Sequence, residues 1–306
     1  MSSTDRIAWI GTGKMGAEMV RRLAEAGHSV VVYDRVRQAA EALSGDRVAV
    51  AADAVNAVRD CSLVFSSLPD DPVLEEMVGS LASALQPDTV LVETSTVSPA
   101  ASARVATLLA EAGVSYLRAP ISGSTATARA GTLTVLASGP QAAMDRARPA
   151  MEAFASRFFH VGQAEEARTL KLTLNLLVGA MSALVAEALT FGGKGDLDMT
   201  QMLEVIGESV VGTKLVAYKR ELLLGDTFEP AFTVRQMMKD FDLVLDTAKA
   251  SGAPMFLTAL VRQHYAAADS QGDGLKDFFV LLRQYRTLAG LQTGPDTQNL
   301  AAIATQ

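Results

Sequence analysis

IAWIGTGKMGAEM, residues Ile7 to Met19, decides how this chain folds. Four apolar residues run into a turn where Gly11, Gly13 and Gly16 form G-x-G-x-x-G, and an amphipathic segment follows at once. A strand that ends in such a turn and reopens as a helix is the context a dinucleotide site requires. Gly11 permits the tight turn, Gly13 lets backbone approach a pyrophosphate, and Gly16 lets helix and strand pack closely. The helix N-terminus adds free amides and positive potential for the phosphates. Triple glycine alone is a weak signal, and VVVYDR, which closes the next β-branched run, strengthens it. Asp34 lies 23 residues beyond Gly11, near the roughly 20 expected of an acid that accepts from the adenosine ribose.

Outward from this turn, short β-branched runs at Ile7–Ile10, Val30–Tyr33, Leu63–Ser67, Val90–Glu93, Tyr116–Ala119 and Leu133–Ala137 alternate with amphipathic segments. That alternation predicts a parallel sheet with crossover helices. Helices are expected at Met15–Ala26 and Ala100–Ala112, each followed by a glycine suited to a left-handed cap. In DDPVLEEM, Asp71 is expected to cap a helix that begins at Pro72. After Gly162 the strand-like runs vanish and helical patterns continue through Tyr285. The expected organisation is a dinucleotide-binding α/β domain over 1–162 and an all-helical domain over 163–292. The polar tail 293–306 is expected to be disordered.

Composition limits the partners. Of the 306 residues, 49% are hydrophobic and the net charge is −7, without a dense basic run. A small-molecule partner is expected, rather than nucleic acid or an anionic membrane. The single cysteine, Cys61, excludes an internal disulfide framework and suits a reducing cytoplasm. The three histidines lack metal-site spacing, so no protein-held metal is expected. The N-terminus has too short an apolar run for a signal-peptide core.

Residues Thr169 to Phe191 approach the length of a membrane span but carry Lys171, Asn175 and Glu187. Their unbroken length without proline predicts a core helix, although LKLTLNL (170–176) alternates like a strand. Either period places Lys171 and Asn175 on one side. A lone ammonium among leucines is costly to bury, so this face is either solvated or used.

Five motifs then occur in a telling order: GTGKMG, ETSTVSP (93–99), RAPISGSTATARAGTL (118–133), KLTLN (171–175) and MKDFDLVLDTA (238–248). In this the chain resembles the β-hydroxyacid dehydrogenases, over roughly Arg6 to Tyr285. The resemblance implies a Rossmann domain joined by a long helix to an all-α domain, NAD or NADP as cofactor, and a small β-hydroxy acid or its semialdehyde as substrate. A homodimer or homotetramer built by the helical domain is implied as well.

The residues make chemical sense in that setting. Oxidising an alcohol by hydride loss requires a base for its proton, and Lys171 is the candidate. Burial among Leu170, Leu172 and Leu174 is expected to lower its pKa from the usual ~10.4. Asn175 is implied to hold the reacting end of the substrate. Read without the family, Lys171 snorkels to solvent and Asn175 caps a loop. Ser122 and Gly123 follow a strand end, where a hydroxyl and an amide suit a carboxylate; an ordinary turn is the alternative. The resemblance assigns cofactor contacts to the GTGKMG turn, including Lys14 and Met15, to Leu68, Pro69 and Thr96, and to Lys239, which with Asp240 matches the family's Lys-Asp pair; a solvated charge pair is the alternative there. Asp34 disfavours the extra phosphate of NADP, whereas Arg35 stacks on adenine or pairs with that phosphate; NAD is the expected cofactor, with NADP left open. The chain departs from the family pattern at Ser124, where a second glycine is usual, and at Leu174, where a second asparagine is usual. Three other readings compete with this one. An imine reductase or reductive aminase usually lacks the lysine, a 6-phosphogluconate dehydrogenase carries a much longer helical domain, and a silent dinucleotide-binding scaffold needs neither Lys171 nor Asn175.

Overall fold

The structure, a computed structural model, describes residues 6–292. The tail from Thr293 to Gln306 lies outside the described residues. The chain forms two compact units, Met1–Leu172 and Thr173–Gln306.

The first unit runs β1 (Ile7–Ile10), α1 (Lys14–Glu25), β2 (Val30–Tyr33), α2 (Arg37–Glu41), β3 (Val48–Val50), α3 (Ala54–Val58) and β4 (Leu63–Ser66). It continues with α4 (Asp71–Leu81), β5 (Val90–Glu93), α5 (Pro99–Glu111), β6 (Ser115–Arg118) and β7 (Ile121–Ser122). Then come α6 (Thr125–Arg129), β8 (Leu133–Ser138), α7 (Gln141–Met151) and β9 (Ala155–Gly162). The strand order is β3-β2-β1-β4-β5-β6-β8-β7, with β9 paired to β8. Strands β1 to β6 run parallel to one another, whereas β8, expected in the parallel sheet, pairs antiparallel with β6 and β7; the order reverses between β1 and β4, where ligands of such sheets bind beyond the carboxyl ends.

Buried on both faces, these strands need apolar residues at nearly every position. Ile7 and Trp9 face one layer, with Met19 and Leu23 of α1 and Ala147 and Met151 of α7. Ala8 and Ile10 face the other, with Leu74 and Val78 of α4 and Val105 and Leu109 of α5. Trp9 stacks on Phe65 at 5.1 Å, and Phe154 meets both edge-on.

Three strands escaped the sequence reading. β3 and β7 have only three and two residues, and β9 mixes arginine and histidine into an edge position. One cap is corrected: Asp70, not Asp71, caps α4, its Oδ1 accepting from the Val73 amide at 3.1 Å. Asp71 is already helical and accepts instead from the Ser98 amide at 2.8 Å. Pro72, one position later, loses nothing there because first-turn amides lack helical partners.

The helix α8 (Glu166–Lys194) begins in the first unit and continues in the second, so LKLTLNL is helical as expected. It is long and apolar enough to cross a membrane by length and composition alone. Its buried positions Asn175, Gly179, Ser182, Ala186 and Leu189 recur every three or four residues, as in a core helix. The second unit adds α9 (Met199–Glu208), α10 (Lys214–Gly225), α11 (Val234–Ser251), α12 (Phe256–Ala268) and α13 (Leu281–Leu288). A Cβ on Gly179 would overlap the Phe241 ring of α11, so this glycine sets how closely α8 and α11 approach. The Tyr265 hydroxyl of α12 donates to the Gly179 carbonyl at 2.9 Å and meets Ser182 Oγ at 2.6 Å.

Candidate active site

The glycine turn is held from three sides. Gly11 has φ +91°, and a Cβ there would overlap the Ser67 carbonyl of the loop after β4. A Cβ on Gly16 would overlap the Gly11 carbonyl, which accepts from Trp9 Nε1 at 2.9 Å. Gly13 faces open space and caps α1 without a side chain, and the first turn carries no acid. An uncapped helix N-terminus beneath an unobstructed glycine fits a pyrophosphate. Lys14 is exposed and Met15 half-buried in the same turn. Asp34, half-buried, closes the site: its Oδ2 accepts from the Thr12 amide at 2.7 Å and the Thr12 hydroxyl at 3.2 Å, and its Oδ1 accepts from the Val36 amide at 2.8 Å. Asp34 lines a hollow with Tyr33, Arg35 and Arg37.

The loops after β4 and β5 are laced together. Leu68 donates its amide to Ser95 Oγ at 2.6 Å, and the Thr94 hydroxyl donates to the Ser66 carbonyl at 2.7 Å. Pro69 is exposed, while Thr96 is half-buried between the buried Ser95 and Val97. Ser122 ends β7, and Gly123 follows with φ +147°, where a Cβ would overlap Thr127 and Leu133. Ser124, the departure from the family pattern, caps α6 in a capping box with Thr127.

Sequence reasoning missed Arg168 of α8 and the contact between Asn175 and Asp240. Arg168, fully buried, is paired with the equally buried Glu93 at the end of β5. Its other donors reach the Ser95 carbonyl at 2.8 Å, the Tyr116 hydroxyl at 2.9 Å and Ser102 Oγ at 3.3 Å. Burial works against the Arg168 charge, yet Tyr116 and Glu93 hold its proton more tightly than usual. Burial also pushes the Tyr116 phenol up. The missed contact is made by Asp240 of α11, which accepts from Asn175 Nδ2 and lies 3.1 Å from Lys239 Nζ. Because a carboxylate only accepts, it turns the Asn175 nitrogen inward and leaves Oδ1 and one N–H for other partners. The readable signal was a charge set among apolar residues, Glu93 in VLVE and Asp240 in QMMKDFDL.

Lys171 is half-buried on α8. On a helix Leu170 and Leu172 leave about 100° to either side of Lys171, and Leu174, three residues on, shares its face. Only Leu172 is buried; Leu170 and Leu174 are half-buried. Thus the first unit gathers Gly11, Asp34, Leu68, Thr96 and Ser122 beyond the carboxyl ends of β1, β2, β4, β5 and β6, and carries Lys171. Asn175 and Lys239 belong to the second unit, where Asp240 joins them.

Residues 6–162 match the family described as the NAD binding domain of 6-phosphogluconate dehydrogenase. Residues 166–285 match that described as NAD-binding of NADP-dependent 3-hydroxyisobutyrate dehydrogenase. The 3-hydroxyisobutyrate dehydrogenase of Pseudomonas aeruginosa is 33% identical over 293 residues, 92% of this chain and 98% of that protein. The solved structure of Mycobacterium tuberculosis 3-hydroxyisobutyrate dehydrogenase with L-serine superposes with a TM-score of 0.86 at 28% identity, covering 92% of this chain and 99% of the other. An imine reductase from Pseudomonas sp. shares the fold alone, with a TM-score of 0.61 at 20% identity over 92% of this chain and 99% of its own.

Proposed function

Since the chain belongs to the β-hydroxyacid dehydrogenases, and so passes a hydride between NAD or NADP and a small hydroxy acid or its semialdehyde, we propose that Lys171 is its acid and base and Asn175 orients its substrate. The observation that carries these roles is their placement one turn apart on a single helix, with the Asn175 amide aimed by Asp240. When bound, the nicotinamide supplies or receives the hydride. Lys171 takes the hydroxyl proton during oxidation and returns it to the carbonyl oxygen during reduction. Asn175 keeps Oδ1 and one N–H for the reacting end, and Ser122 Oγ with the Gly123 amide holds the carboxylate. A 3-hydroxyisobutyrate-like acid is the substrate class these groups suit.

Gly11, Gly13, Lys14, Met15 and Gly16 hold the pyrophosphate, while Asp34 and Arg35 flank the adenosine. Leu68, Pro69, Thr96 and Lys239 serve the nicotinamide end. The Asp34 carboxylate favours NAD by repelling a 2′-phosphate. The protein is soluble and cytoplasmic in this reading, and works as a homodimer or homotetramer. Leu177, Leu184 and Phe191 support the last point: they recur every seven residues along α8 with 56, 66 and 83% exposure, an apolar stripe suited to a second copy.

The test is turnover of 3-hydroxyisobutyrate, glycerate and serine with each cofactor, for the parent and Lys171→Ala. Turnover of a 3-hydroxy acid that falls at least 100-fold in the variant, with NAD affinity within about threefold, supports the assignment. Equal rates in both proteins refute Lys171 as the proton carrier.

A further inference from the structure

The start of α8 is gripped twice. Glu93 and Arg118 are register partners at the ends of β5 and β6. Glu93 pairs with Arg168, and Arg118 pairs with Glu165, its Nε donating to Oε1 at 2.9 Å. Tyr116 lies between the pairs: its hydroxyl accepts from Arg168, and its ring sits 4.4 Å beneath the Arg118 guanidinium. Ser138 of β8 adds a third hold, donating to the Ala164 carbonyl at 2.6 Å and accepting from the Ala167 amide at 3.2 Å. Opposite charges thus face each other in crossed order, sheet to helix, at positions 165 and 168. Lys171 is one further step of three along the same helix.

Two anchors three residues apart fix a helix in rotation as well as along its axis. Packing alone would not need charges for this, since apolar residues of similar volume often hold a buried site as well. What only the guanidinium fork supplies is a choice of partner. It reads the Glu93 carboxylate and the Ser95 carbonyl together. Ser95 has every polar atom committed: its amide donates to Glu93 Oε1 at 2.9 Å, its carbonyl accepts from Arg168, and its hydroxyl accepts from the Leu68 amide. Leu68 and Pro69 lie on one side of this junction and Thr96 on the other.

We infer that Arg168 is a positioning residue: through Glu93 and Ser95 it sets the lysine-bearing helix in register with the loops after β4 and β5. This rests on the proposed role of Lys171. A misplacement of about 1 Å costs on the order of 100-fold in rate, whereas the glycine turn and Asp34, which grip the other end of the dinucleotide, do not touch Arg168.

The experiment compares the parent with Arg168→Met, Arg168→Lys and Ser102→Ala. It measures kcat and KM with 3-hydroxyisobutyrate, Kd for NAD, and amide hydrogen exchange at Leu68 and Ser95. Arg168→Met is expected to lose about 100-fold in kcat while KM and Kd stay within about threefold, and both amides are expected to exchange at least about tenfold faster. Arg168→Lys is expected to recover about tenfold of that kcat, because it restores charge without the fork. Ser102→Ala, which removes a contact to neither loop, is expected to leave kcat unchanged. Unchanged exchange at Leu68 and Ser95 overturns the inference whatever the activity, as does an Arg168→Met enzyme with parental kcat. Should the parent turn over no hydroxy acid, the functional reading falls and exchange alone decides the coupling. If Arg168→Met does not fold, Arg168→Lys and Glu93→Gln carry the test, and parental kcat and exchange in both refute it.

Discussion

Replacing Asp34 by alanine separates two things that one carboxylate does. In the protein it accepts the Thr12 amide at 2.7 Å and the Val36 amide at 2.8 Å. Val36 is exposed, so its amide finds water, but Thr12 is only 4% exposed and its amide is left unsatisfied. A buried orphan donor costs about 1–3 kcal/mol, which at about 2–4 °C per kcal/mol lowers the unfolding midpoint of the cofactor-free protein by about 2–12 °C. A charge-assisted bond to the ribose adds about 1.5–3 kcal/mol, so NAD affinity falls a further 10- to 150-fold or so, while NADP affinity holds or rises. Asp34→Asn distinguishes the two effects: its amide oxygen still accepts from Thr12, so stability returns while discrimination stays relaxed. The assays are thermal unfolding without cofactor and titration with NAD and NADP at one ionic strength. An unchanged midpoint in Asp34→Ala refutes the brace, and an unchanged NAD/NADP ratio in both variants removes Asp34 from the ribose.

Leu184→Lys places a charge in the middle of the exposed α8 stripe and is expected to shift the protein toward monomer in sedimentation velocity without lowering its helicity; a parent that is already monomeric rules out the stripe as a subunit interface. Glu18 offers a pH test. A hydrogen bond from Arg129 holds its carboxyl below the usual range. Its contribution is therefore complete above the unfolded value of about 4.3 and is lost as pH falls through the lower folded value. Arg129→Ala is expected to make stability fall less steeply between about pH 5 and 3, and identical slopes in parent and variant would count against the pairing.

Much of the first unit was legible because a sheet buried on both faces forces apolar runs, and VVVY or LVFS allow few other readings. The same rule explains what was lost. β3 is too short to show a period, and β9 pairs on one side and tolerates Arg157 and His160. The glycine turn was readable because each glycine answers a local steric demand. Arg168 was not, since its partner lies 75 residues away and nothing in EEARTLK says which acid it meets. Nothing in the sequence around Ser124 told that its side chain caps α6.

The junction at Ser95 has a thermodynamic consequence. A segment whose amide, carbonyl and hydroxyl are already engaged has little disorder left to surrender when a dinucleotide arrives. Association then forfeits less conformational entropy than it would with a floppy segment, and calorimetry of NAD binding should show a correspondingly small entropic penalty that grows when Ser95 is replaced by glycine.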